Sequence, residues 1–76
     1  MKIVEKKIKP EFFEAVYDGS KNFELRRDEN GFEVGDFIVL REWNESYTGR
    51  IEVRRITYVL RNYEGLQPGY CILGFR

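Results

Sequence analysis

The segment from Ile51 to Leu60 changes the parity of its apolar residues partway along. Ile51 and Val53 fall on odd positions, whereas Ile56, Tyr58 and Leu60 fall on even ones. Successive side chains of a strand point to opposite faces, so one flat strand cannot keep both sets buried. A bulge near Arg54-Arg55 would correct the register and curve the strand, as a small barrel requires.

The rest of the chain reads as short strands with a single helix. Lys2 to Ile8 is a first strand whose lysines mark it as a sheet edge, where charge discourages stray pairing. Pro10 then suits a first helical residue, because its missing N–H is not needed there. Glu11 and Glu14 favour the positive end of that helix. Phe12, Phe13, Val16 and Tyr17 follow the spacing of one buried face, and Ile8 is placed to clasp Phe13 across a cap at Lys9. Gly19 stops the helix after about two turns, so tertiary packing must hold it. Asp28-Glu29-Asn30-Gly31 and Val34-Gly35-Asp36 are turn signals. The first is not a calcium loop, because its glycine falls at the fourth position rather than the sixth. Phe37 to Trp43 is apolar on both faces at first, which predicts a central strand, and it ends with Arg41 and Trp43 on one face. Asn44 to Gly49 reads as a hairpin loop, Gln67-Pro68-Gly69-Tyr70 suits a type II turn, and Tyr70 to Phe75 is a last strand. The expected fold is α+β but mostly β: a mixed barrel of about five to six strands with one short helix after the first strand.

Composition narrows the function. A chain of 76 residues is a single domain, residues 1–76, with a thin core that its aromatic residues partly make up for. Thirteen basic residues balance thirteen acidic ones, seven of each within residues 1–30 and six of each in the remainder. Nucleic-acid contact must therefore come from a confined basic patch rather than from bulk charge. There is no histidine, which excludes a His-based triad and argues against a nitrogen–sulfur metal site. No metal and no cofactor is expected. Cys71 is the only cysteine, so a reducing, cytoplasmic setting fits best. The charged start, Met-Lys-Ile-Val-Glu-Lys-Lys, is not a secretory leader, and no apolar run approaches a membrane span. The Asn44-Glu45-Ser46 triplet is accordingly not read as a glycosylation site.

The stretch Gly19-Ser20-Lys21-Asn22-Phe23-Glu24-Leu25-Arg26-Arg27 carries the chemistry. Phe23 and Leu25 alternate with Asn22, Glu24 and Arg26, so the apolar pair is expected in the core and the charged set on the other face. The charged set reads either as a solvated ion pair across one strand, which is worth little in stability, or as a polar pocket. Arg26 offers a planar fork to phosphate or a base edge, Lys21 a point charge, and Glu24 an acceptor or an orienting partner for Arg26. Trp43 reads either as a core or barrel-lip residue or as a stacking platform at the end of its strand, with Arg41 beside it. Arg50, Arg54 and Arg55 form the densest basic group, which beside Glu52 reads either as a solvated strand edge or as a backbone-tracking groove.

These residues resemble a known family. Gly19-Ser20-Lys21-Asn22-Phe23-Glu24-Leu25-Arg26 is similar to the Gly-x-Lys-x-x-Glu-x-Arg signature of ASCH domains, members of the PUA-like superfamily of small β-barrels. Glu11 to Val16, Val34-Gly35-Asp36, Glu42-Trp43, Tyr47-Thr48-Gly49-Arg50 and Gly69 to Leu73 resemble a compact bacterial and phage branch of it. That branch often has a histidine where Val4 stands. The resemblance implies a PUA-like barrel with a cleft lined by the signature's charged residues, and RNA or nucleotide binding. Lys21, Glu24, Arg26, Arg41, Trp43 and Arg50 are the expected contact residues. Some relatives are amidohydrolases of acetylated cytidine, but their signature has Thr where this chain has Glu24. Lys21, next to a carboxylate, would also make a poor base. The expected function is thus a binding module, with hydrolysis of acetylated or modified cytidine, or protein interaction, as alternatives.

Overall fold

The computed structural model describes residues 1–76 and contains five strands and one helix: β1 (Ile3–Ile8), α1 (Pro10–Tyr17), β2 (Phe23–Arg27), β3 (Phe37–Trp43), β4 (Tyr47–Leu60) and β5 (Tyr70–Phe75). They form one mixed sheet in the order β1-β3-β4-β5-β2. β1 runs parallel to β3; the other neighbours are antiparallel. β1 and β2 are the two edges. No backbone ladder joins them, so the sheet is open where the sequence suggested a closed barrel. No helix is long and apolar enough to cross a membrane.

Proline at its first turn and Glu11 beside the positive end start α1, while Lys9 caps it with no side-chain bond. Gly19, at φ 85°, takes the left-handed turn that ends it, and its N–H donates to the Val16 carbonyl. The helix buries Phe13 and Val16 against Ile8, Ile38, Leu40 and Leu73. Burial of each such side chain contributes about 2 kcal/mol, which is what holds two turns of helix together. Phe12 and Tyr17, expected on the same buried face, are exposed instead. Two turns over a small core leave room for a narrow stripe only.

The predicted break in β4 exists, two residues later than expected. Through Arg55 the strand pairs with β3; from Ile56 it pairs with β5, and the register shifts between Ile56 and Tyr58. The strand bends because it changes partner. The faces are also reversed: Ile51 and Val53 are about half exposed, while Glu52, Arg54 and Ile56 face inward. Arg54 is tolerated there because it pairs with Glu52 and donates to the Val16 carbonyl at the end of α1. The hairpin before it is tighter than expected. Glu45 adopts φ 67° in the turn, and β4 already begins at Tyr47.

The alternation in β2 is inverted in the same way. Glu24 is 5% exposed, whereas Phe23 and Leu25 are 49% and 56% exposed. Period-two patterning separates two faces without saying which is inside. The charged face turns inward because Lys21 and Arg26 arrive with Glu24 and compensate it.

Candidate functional site

Three carboxylates are buried: Glu24, Asp36 and Glu42. Each sits at a junction. Asp36, at the start of β3, accepts the backbone N–H groups of Lys2 and Glu33 at 2.9 Å each and pairs with the Lys2 ammonium. The Lys2 N–H and its ammonium, with the Glu33 N–H, draw the Asp36 carboxyl down to about 2. Glu42 accepts the Thr48 hydroxyl at 2.7 Å and the Arg50 guanidinium at 3.2 and 3.3 Å, and Arg50 continues to Glu14 on α1. Arg50 also lies over the Phe13 ring, 4.5 Å from its centroid. That network ties hairpin to helix.

Glu24 is held differently. One oxygen meets the Lys21 ammonium; the other accepts Arg26 Nε at 2.8 Å and faces Arg26 Nη2 at 2.7 Å. All its partners are side chains. Lys21 also donates to the Phe23 carbonyl at 2.8 Å, and Arg26 Nη2 donates to the Lys7 carbonyl across the sheet opening at 2.8 Å. Arg26 Nη1 keeps its two donors, with no partner in the protein. The cluster therefore bridges β1 and β2, the two edges, and leaves donors over.

Two open hollows flank it. One, about 250 Å³, is lined by Lys7, Ile8, Lys9, Phe12, Glu24, Leu25 and Arg26. Its charged walls are Lys9 and Arg26 against one carboxylate that is already paired, and Lys7 borders it with its ammonium turned to Trp43. The second, about 280 Å³, is lined by Phe12, Lys21, Phe23, Glu24 and Leu25. It is mainly apolar and aromatic, and Lys21 lies 5.0 Å from the Phe23 ring centroid. The hollows share Phe12, Glu24 and Leu25, so a cationic recess and an aromatic one adjoin along β2.

Of the residues expected at the site, Lys21, Glu24 and Arg26 come together at this opening. Arg41 and Trp43 lie on the outer face of β3, and their link to the opening is Lys7. Its ammonium sits 3.9 Å from the Trp43 ring while its carbonyl accepts Arg26. Arg50 is engaged by Glu42 and Glu14, away from both hollows. Lys7, Lys9 and Phe12 were not anticipated. Local patterning assigns the lysines to edge protection and capping, and Phe12 to the core. The signal available was Lys9-Pro10, which fixes a cation at the mouth of the helix beside the edge.

Elsewhere, Cys71 is buried, and burial pushes its thiol pKa up. Arg61 holds Asp28 and donates to the Phe32 carbonyl, and its guanidinium draws the Asp28 carboxyl below the usual range.

This chain is similar to a protein of Escherichia phage P2 described as an uncharacterized 12.9 kDa protein in the GpA 3' region. The two are 39% identical over 59 residues, which covers 76% of this chain; the chain spans only 54% of the phage protein's length. The family model of a domain of unknown function, DUF3850, matches residues 3–75, and the chain belongs to that family.

Proposed function

We infer that the opening between β1 and β2 binds a nucleotide, free or as part of RNA. In this reading the chain is a PUA-like barrel of ASCH type whose incomplete seam is the ligand cleft. The observation that carries it is the adjacency of the two hollows. A nucleotide has an apolar, stackable base and an anionic phosphate, and the two recesses divide in the same way. Phe12 and Phe23 offer an apolar wall to the base. Lys9 and the free Nη1 of Arg26 offer donors to phosphate. Glu24 orients Arg26 and holds Lys21, rather than acting as a base or nucleophile.

The test is titration of nucleoside monophosphates and short single-stranded RNAs at low salt. Loss of one charge-assisted hydrogen bond weakens binding by about tenfold or more. Lys21→Ala, Arg26→Ala and Lys9→Ala should each show such a loss. Lys9 lies outside the buried cluster, so its variant reads binding without disturbing the fold. Affinities indifferent to all three substitutions would end this assignment.

A further inference from the structure

The outer face of β1, β3 and β4 has no element packed on it. Along β3, Ile38, Leu40 and Glu42 are buried under α1, and Phe37, Val39, Arg41 and Trp43 point the other way. Register sets Arg55 beside Phe37, Val53 beside Val39, Ile51 beside Arg41 and Tyr47 beside Trp43. A sheet face open to water is ordinarily polar. This one keeps Ile51 and Val53 half exposed next to three aromatic rings.

Each ring carries a cation. Lys7 Nζ is 3.9 Å from the Trp43 centroid, Arg41 Cζ is 3.7 Å from that of Tyr47, and Arg55 Cζ is 5.8 Å from that of Phe37. Trp43 and Tyr47 meet edge to face with centroids 4.9 Å apart. Only Glu5, which pairs with Arg41, opposes these three cations on the face. In a chain whose formal charge is zero overall, this is a local positive excess.

We propose that this face is a stacking platform for single-stranded nucleic acid, continuous with the cleft through Lys7. The proposal rests on the cleft reading and extends it from one nucleotide to a strand of several. The charge chooses the occupant: a second copy of the face would set cations against cations, whereas a polyanion with flat bases suits both features. Tyr47 is exposed, and Trp43 and Phe37 are half-buried beneath their cations, so a base that stacks there replaces a cation–ring contact and frees the lysine or arginine for phosphate. Lys7 reaches both regions, since its carbonyl accepts Arg26 and its ammonium covers Trp43.

Trp43 is the only tryptophan, so its emission reports directly on the platform. The probes are uridine monophosphate and eight-nucleotide oligouridine and oligothymidine, titrated against the full chain at low salt. Either octamer should bind at least about tenfold tighter than the mononucleotide and quench Trp43. Tyr47→Ala and Arg41→Ala should remove that gain and leave mononucleotide affinity unchanged, while Tyr47→Phe restores it. Lys9→Ala should weaken mononucleotide and octamer alike. Gain for both octamers means the sugar is not read; gain for one assigns the sugar. Octamers no tighter than the mononucleotide, unchanged Trp43 emission at saturation, or a gain that survives Tyr47→Ala would each overturn the platform and leave the cleft standing. An octamer gain with mononucleotide binding indifferent to Lys9→Ala would overturn the cleft instead. No binding by any probe overturns both.

Discussion

Asp36 and Glu24 are both carboxylates sunk into the protein, and their partners differ in kind. Asp36 is held by two backbone N–H groups and the ammonium of Lys2, so it fastens the start of β1 to the start of β3. Glu24 is held only by side chains, Lys21 and Arg26, which keep donors to spare beside open hollows. Backbone donors cannot be mutated away, and without Asp36 these two part-buried N–H groups would lose their partner. The donors around Glu24 could be replaced together with it. We therefore expect the fold to require Asp36 and to tolerate joint apolar replacement of the Glu24 cluster. A buried ion pair is weak evidence for stability, and apolar replacements of similar volume are often neutral or better.

The largest effect expected is that of Asp36→Ala. It strands the Lys2 and Glu33 N–H groups, and the melting temperature should fall by about 10 °C. A fall no greater than that of Arg26→Ala would break the contrast. Arg26→Ala leaves Glu24 with Lys21 alone, so the expected cost is about 1–2 kcal/mol in urea unfolding, together with the tenfold loss of ligand.

The pH dependence sharpens the comparison. The Asp36 carboxyl is depressed from 3.8 to about 2. Its contribution to stability is therefore fully present above about pH 4 and is lost as pH falls through about 2, because the unfolded chain takes up the proton first. Asp36→Asn should flatten the melting-temperature profile across that window. A wild-type profile already flat between pH 4 and 2 would contradict the hydrogen-bond pattern at Asp36. The smallest effect belongs to Arg41→Ala, which removes an exposed pair with Glu5. Its stability change should stay within about 0.5 kcal/mol, and a larger one would mean the outer face is structural.

Much of the fold was legible from local chemistry. Pro10 and Gly19 bracket the helix as expected. Gly69 takes φ 84° in a turn closed by the Tyr70 N–H on the Gln67 carbonyl, as Pro68-Gly69 implied. β1 is an edge and β3 is central. What failed was sidedness. In β2 and in the first half of β4 the period was right and the inward face was wrong, because burial there depends on partners distant in sequence; past the register shift Tyr58, expected inside with Ile56, is exposed as well. Arg54 turns inward for the Val16 carbonyl and Glu24 for two cations. The charged cluster at the opening was legible where it is local, in Lys21, Glu24 and Arg26, which the structure brings together. Lys7 and Lys9 join it only because the sheet order brings β1 opposite β2 across the opening, and no local pattern encodes that.

The most direct test replaces the whole Glu24 cluster by apolar residues, Lys21→Met, Glu24→Leu and Arg26→Leu together, and measures urea unfolding and mononucleotide binding on the same protein. Stability equal to or above that of the parent, with binding abolished, is the predicted result. A variant that unfolds, or one that still binds the mononucleotide as the parent does, would contradict the claim that this cluster serves a ligand rather than the fold.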